Sequence, residues 1–217
     1  MIKWDGLLSS KNLKPCFAAN RILFSLAAEN NEWEKLIYIH QNFHVSINAW
    51  KLDDSSFNTP LHLAVARQAP VEVIRELVRL GAWRSLINAA GERPCDIAAR
   101  QNKHVLAEEL KPVFIYPTDD EEIQQIQKRI HGIILDRGGY WLEGLPLRLP
   151  EISVMLEKPK SELWFAIYGM YGGFSLKFEY EKELLLVSSS WSRVVAGSGR
   201  RHYVTAGRAE LVDSGFV

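Results

Sequence analysis

The 217-residue chain offers six histidines, two cysteines and a Gly197-Ser198-Gly199-Arg200-Arg201 stretch for acid–base, metal or phosphate chemistry. His40 and His44 stand four apart, a spacing that can place two imidazoles on one helix face. No carboxylate or third ligand accompanies them at a zinc spacing. Cys16 and Cys95 are isolated, too sparse for a zinc site or a disulfide framework. The Gly-Ser-Gly-Arg-Arg stretch lacks the lysine and the following helix of a phosphate loop. It reads as a hairpin turn whose two arginines can dock an acidic partner. Ser189 and Ser190 sit in no nucleophile-elbow setting. The run Asp119-Asp120-Glu121-Glu122 suits the positive end of a helix dipole better than calcium. Trp141, Trp164 and Trp191 can line a ligand cleft, but aromatics at strand positions more often fill a core. His62, between Leu61 and Leu63, is the histidine that invites a catalytic-base reading. These residues give no catalytic assignment, no metal site and no cofactor.

Composition narrows the classes further. Lys plus Arg and Asp plus Glu are equal at 26 each, so no global field favours nucleic acid or an anionic membrane. No run reaches the roughly 18 apolar residues of a membrane span. The N-terminus has no long apolar core of the secretory type. Two cysteines in a chain of this size suit a reducing cytoplasm.

The elements that position these residues show an internal repeat. Thr59-Pro60-Leu61-His62-Leu63-Ala64-Val65 matches Arg93-Pro94-Cys95-Asp96-Ile97-Ala98-Ala99 with a shift of 34. Leu26-Ala27-Ala28-Glu29-Asn30-Asn31 matches the later part of the same template. A second apolar-periodic stretch follows each: Trp33 to Ile37, Val71 to Val78, and Val105 to Leu110. Thr59 suits a helix N-cap, Pro60 and Pro94 suit the first helical position, and Gly81 suits a helix end. The pattern, with its TPLHLA match, its Leu80-Gly81-Ala82 helix end and the asparagines Asn48 and Asn88, resembles the ankyrin repeat.

The resemblance covers roughly residues 18 to 114 and implies an α-helical solenoid of three stacked helix pairs. Leu61, Leu63, Ala64, Ile74, Leu77, Ile97, Ala98 and Leu110 are expected to be buried. The sequence departs from the family at Trp83 to Ile87, where the connection is longer, and at Gln68-Ala69, which replaces the usual Gly-His. The family's concave face implies a protein-binding surface. Its outward positions are Ser55, Ser56, Asn58, Ala66 and Arg67 in the second unit, and Ala89, Ala90, Glu92, Arg100 and Gln101 in the third. In the first unit they are Arg21, Glu29 and Asn30.

After Leu110 the prolines Pro112 and Pro117 interrupt the helical pattern. Residues 118 to 121 read as a capping box opening a helix with Ile123, Ile126, Ile130 and Ile133 on one face, ending at Gly138-Gly139. The period then changes to two. Phe174, Leu176, Phe178 and Tyr180 alternate with polar residues, and residues 184 to 189 return as a hairpin partner. Residues 152 to 156, 163 to 168, 191 to 195 and 202 to 205 are further strands. Residues 1 to 117 are thus expected to form the repeat domain. Residues 118 to 217 are expected to form an α+β domain with one helix on an antiparallel sheet of about five strands. The apolar segment Val113-Phe114-Ile115-Tyr116 is expected to pack on the last repeat. The C-terminal half, with Ser190-Trp191-Ser192-Arg193 and Leu211-Val212-Asp213-Ser214-Gly215-Phe216-Val217, resembles an uncharacterised domain of bacterial ankyrin-repeat proteins, which implies no activity. The expected function is a non-catalytic, cytoplasmic bacterial adaptor or immunity-type protein. It is expected to be monomeric, to bind a protein partner through the concave face, and to use neither nucleic acid nor membrane. The alternative is an enzyme or effector whose C-terminal α+β domain is catalytic and whose ankyrin-type repeats recruit the substrate.

Overall fold

A computed structural model describes residues 1–143, 147–193 and 198–215. The chain is an α+β protein that divides into two compact units. One is Leu7–Pro112; the other combines Met1–Gly6 with Val113–Val217. The division falls upstream of the expected boundary at 117/118, and the first six residues join the second unit.

The first unit is helical. A short 3-10 turn at Ser10–Asn12 precedes α1 (Pro15–Glu29), α2 (Trp33–Phe43), α3 (Pro60–Ala66), α4 (Val71–Arg79), α5 (Pro94–Arg100) and α6 (His104–Glu109). Proline opens α1, α3 and α5, where its missing N–H has no helical partner to lose. The helices pack as the pairs α1–α2, α3–α4 and α5–α6, and α3 contacts both α1 and α5. The same turn closes all three first helices. One residue enters the left-handed region, Asn31 (φ 60°), Gln68 (φ 57°) or Asn102 (φ 59°). The next amide then reaches back five residues: Glu32 N–H to Ala27 O (2.8 Å), Ala69 to Ala64 (2.9 Å), and Lys103 to Ala98 (2.9 Å). Those acceptors belong to Ala27, Ala64 and Ala98, all fully buried, where only a small side chain lets adjacent helices approach. Leu61, Ile74, Leu77, Ile97 and Leu110 are buried with them; Leu63 is only partly buried, packed against this core.

The second unit is a sheet with one long helix. Its elements are β1 (Ile2–Trp4), α7 (Asp120–Leu142), a 3-10 helix at Ile152–Glu157, β2 (Glu162–Ile167), β3 (Gly172–Tyr180), β4 (Leu184–Ser192), β5 (Ser198–Val204) and β6 (Ala209–Gly215). The strands lie in the order β1 to β6. β1 runs parallel to β2 and all other pairs are antiparallel, so the sheet is mixed and six-stranded rather than antiparallel and five-stranded. α7 is capped by Asp119, whose carboxylate accepts the Glu122 amide at 2.8 Å. It is interrupted at Gly139 (φ 31°), a conformation that a side chain disfavours. Ile123, Ile126, Ile130 and Ile134 are its buried isoleucines, whereas Ile133 is only half-buried.

Three further expectations change. Residues 152 to 156 form the 3-10 helix, not a strand. All five are buried, and a short, mostly apolar run does not distinguish the two. Ile115 and Tyr116 belong to the sheet unit: the Ile115 amide donates to Leu156 O (2.9 Å) and Tyr116 stacks on Tyr180 at 5.5 Å. The turn expected at 197–199 is strand from Ser198 onward. Gly197, with Val194 and Val195 of an expected strand and Phe216 and Val217 of the C-terminal motif, lies outside the described residues.

Candidate functional site

The expected partner-facing residues, Arg21 excepted, gather along the ends of α1, α3 and α5 and the loops that precede α3 and α5. The helix ends are tied together directly. Arg67, the C-cap of α3, donates through Nη1 to the carbonyl of Glu29, the last residue of α1. Gln101, the C-cap of α5, donates through Nε2 to the carbonyl of Ala66, the last residue of α3, at 2.8 Å. The same structural position therefore makes the same bond in successive pairs, once with arginine and once with glutamine. Such a bond satisfies a terminal helix carbonyl that has no intrahelical partner.

The loops are tied in the same way. The Ala89 amide donates to Ser56 O at 2.8 Å, and Asn88 Nδ2 donates to Asn58 Oδ1 at 3.1 Å. Asn88 Oδ1 also accepts the amides of Ala90 and Glu92, each at 3.0 Å, which shapes the tip before α5. Arg100 grips Glu92 in a two-bond fork, Nε to Oε1 at 2.9 Å and Nη2 to Oε2 at 3.2 Å. That fork holds the Glu92 carboxyl below the usual carboxylate range. Arg100 nevertheless keeps 63% of its side chain exposed. Lys51, which sequence reasoning did not single out, pairs with Glu29 at 2.7 Å. Ser55, Asn30 and Arg67 are exposed. The result is one polar ridge crossing all three helix pairs.

Arg21 is not on it. The side chain is buried, donates through Nε and Nη2 to Trp50 O at 3.3 and 3.2 Å, and lies 5.7 Å from the centre of the Trp50 ring. The first helix is far longer than α3 and α5, so a position counted from the later units falls on its inner face. His62 is also structural in its contacts. Its Nδ1 faces the Thr59 hydroxyl at 2.8 Å and the Thr59 amide at 3.3 Å, while Nε2 reaches Glu92 O at 3.2 Å. A carbonyl only accepts, so Nε2 carries the proton and Nδ1 accepts. A fully buried imidazole thus links the start of α3 to the tip before α5. Asp96 occupies the matching position of α5 and accepts the Arg93 amide at 2.7 Å.

In the sheet unit, Arg200 and Arg201 are neighbours on β5 and face opposite sides of the sheet. Trp164 and Trp191 stack at 4.4 Å, with Trp191 exposed, so this pair does not fill the core. Trp141 lies beside Gly169. Among the described residues no group of three or more His, Cys, Asp or Glu side chains is placed to hold a metal ion. His40 bonds Val45 O and His44 ends α2 in the left-handed region. No described helix is long and apolar enough to cross a membrane. No protein-family model matches the chain.

Proposed function

We propose that the chain is a non-catalytic protein-binding module in which residues 7 to 112 are an ankyrin-type repeat array. The polar ridge along α1, α3 and α5 is then its partner surface. The observation that carries this reading is the thrice-repeated helix end at Asn31, Gln68 and Asn102, with matching cross-links made by Arg67 and Gln101. Stacked pairs of this kind build an extended surface from nearest-neighbour contacts. The ridge is polar and mixed in charge, which suits a folded protein partner carrying exposed carboxylates and aromatics. The reading includes a monomeric, cytoplasmic adaptor or immunity-type protein of a bacterium. The free cysteines, Cys16 exposed and Cys95 buried, are compatible with a reducing compartment.

Arg67 and Arg100 are the hot-spot residues on this surface, because a guanidinium can hold a carboxylate through two bonds and stack on an aromatic ring. Both already engage acceptors within the ridge, so the partner must displace or extend those bonds. With a partner captured from the native host, calorimetry on Arg67→Ala/Arg100→Ala is expected to show binding weaker by at least about 2 kcal/mol. Arg201→Ala serves as the control on the open sheet face. Full affinity in the double variant with loss in the control would move the binding surface to the sheet unit.

A further inference from the structure

On the side of the sheet covered by α7, the apolar surface made by Phe165, Phe174, Leu176 and Leu186 gives way to polar residues towards one end of β4 and β5. On β4 the helix-facing side carries Ser188, Ser190 and Ser192, all buried. Opposite them on β5 stand His202, Arg200 and Ser198 in the same order. On α7 the facing stripe is Arg129, Gly132, Ile133, Asp136 and Arg137, spaced as one side of a helix. β4 and β5 therefore break the burial pattern at one place, beside the half-exposed polar stripe of α7, and such local violations mark functional positions.

Between α7 and β5 lies a cleft of about 330 Å³, lined by those five α7 residues with Arg200, His202 and Ala209. Three guanidiniums there face a single carboxylate. Asp136 approaches Arg200 only to 3.9 Å and is itself 81% exposed. Arg129 is steadied by Ala206 O at 3.0 Å, and Arg137 by the Ser198 carbonyl (2.7 Å) and hydroxyl (2.6 Å). Arg137 Nε, His202 Nδ1 and Ser188 Oγ are buried without a partner among the described residues. Burial, and then the charge of Arg200, push the Arg137 guanidinium below its ordinary range. Burial, and then Arg200 and Arg137, likewise push the His202 imidazole down. Ser188 Oγ and His202 Nδ1 do not bond each other, so the group is not an activated nucleophile.

We infer that this cleft binds a phosphate monoester of a small molecule, its phosphoryl group held by Arg137 and Arg200 and its organic part running against Ile133 and Ala209 towards Arg129, which lies further along the cleft. Three arginines less one aspartate leave two positive charges. A phosphate monoester near neutral pH carries about −1.5 to −2, which balances them; a carboxylate leaves one cation unmatched. The arginines stand on two different elements, which suits an acceptor with three equivalent oxygens. The site is independent of the partner surface proposed for the helical unit.

The test is calorimetry on the full chain at constant ionic strength, with phenyl phosphate, inorganic phosphate and acetate as probes. Phenyl phosphate is expected to bind saturably, one per chain, with a dissociation constant of about 1 mM or tighter. It should bind at least as tightly as inorganic phosphate, and acetate should not saturate. Arg137→Gln and Arg200→Gln should each weaken phenyl phosphate by about tenfold or more, and Arg75→Gln, on α4, should change nothing. Arg200 is partly exposed, so its variant decides the matter even where Arg137→Gln fails to fold by circular dichroism. Absence of saturable phenyl phosphate binding, unchanged affinity in Arg200→Gln, or acetate binding as well as phenyl phosphate overturns the inference. Binding of inorganic phosphate alone overturns the assignment to an ester.

Discussion

The helical and sheet units reach their cores by opposite routes. In the helical unit each pair packs on its sequence neighbour, and the same turn recurs at Asn31, Gln68 and Asn102. In the sheet unit nothing recurs, and the first strand pairs with a strand far along the chain, Ile2 opposite Leu163. Trp4, at the end of that strand, is buried and donates through Nε1 to Arg148 O at 2.8 Å, while the Arg148 amide donates to Gly6 O at 2.7 Å. Three helix pairs closed by the same turn spread their stability over similar contacts between neighbours. A sheet closed by a distant segment concentrates it in a few long-range contacts, whose loop-closure entropy must be met before they form. The difference predicts where single substitutions are felt.

The largest effect is expected at that distant segment. Trp4→Ala removes a buried aromatic together with its bond to Arg148, and should lower unfolding free energy by about 3–5 kcal/mol. Hydrogen exchange should rise in β2 and around residue 148, with α3 amides unchanged. A loss confined to the helical amides would break the comparison. Next is Ala64→Leu, at the fully buried acceptor of the α3 turn. Overpacking there is expected to cost about 1–3 kcal/mol. Exchange should rise in α1, α3 and α5 together, because α3 touches both neighbours. An unchanged denaturation midpoint would show that these helices do not approach closely.

A pH dependence should separate the units in the next order. His131 donates from Nε2 to Pro150 O at 2.8 Å, and burial holds its imidazole below its ordinary range. The unfolded chain therefore takes up the proton first as pH falls. The contribution is fully present above the unfolded histidine value of about 6.5 and is lost as pH drops towards the folded value. His202 acts in the same direction. Glu92, held low by Arg100, loses its contribution at more acidic pH, below about 4.3. Sheet amides should thus lose protection first on acidification, and His131→Gln should flatten that slope. An identical slope in the variant would remove His131 from the account. The smallest effect belongs to the exposed cross-link on the ridge. Gln101→Ala deletes one bond to Ala66 O and should cost about 0.5–1.5 kcal/mol, towards the low end because water can replace it. A larger loss would mean that the ridge is more tightly coupled than its exposure implies.

Much of the helical unit was legible in the sequence. The shift of 34 between Thr59-Pro60 and Arg93-Pro94 marks the starts of α3 and α5, because proline at the first helical position acts locally. Glu29, Asn58, Arg67, Glu92, Arg100 and Gln101 do come together along one ridge, since their spacing is tied to those starts. Arg21 does not, because the length of α1 was not repeated in the later units. In the second unit, the alternation of Phe174, Leu176 and Phe178 revealed β3, and residues 184 to 189 its partner. Strand β6 escaped notice because it is exposed along its whole length and has no apolar face.

By itself, then, the sequence determined the features carried by neighbours in the chain: proline-opened helices, left-handed helix ends, a capped α7 and a two-residue period in β3. Each depends on backbone sterics and short-range hydrogen bonds within a few residues. Only the tertiary structure decided that residues 2 to 4 join β2 and that residues 152 to 157 form a 3-10 turn. It alone placed the charged stripe of α7 beside Arg200 and His202. Those outcomes rest on contacts between segments far apart in the chain. There a serine, an arginine or a three-residue strand takes its role from what lies opposite, and no local pattern encodes what that will be.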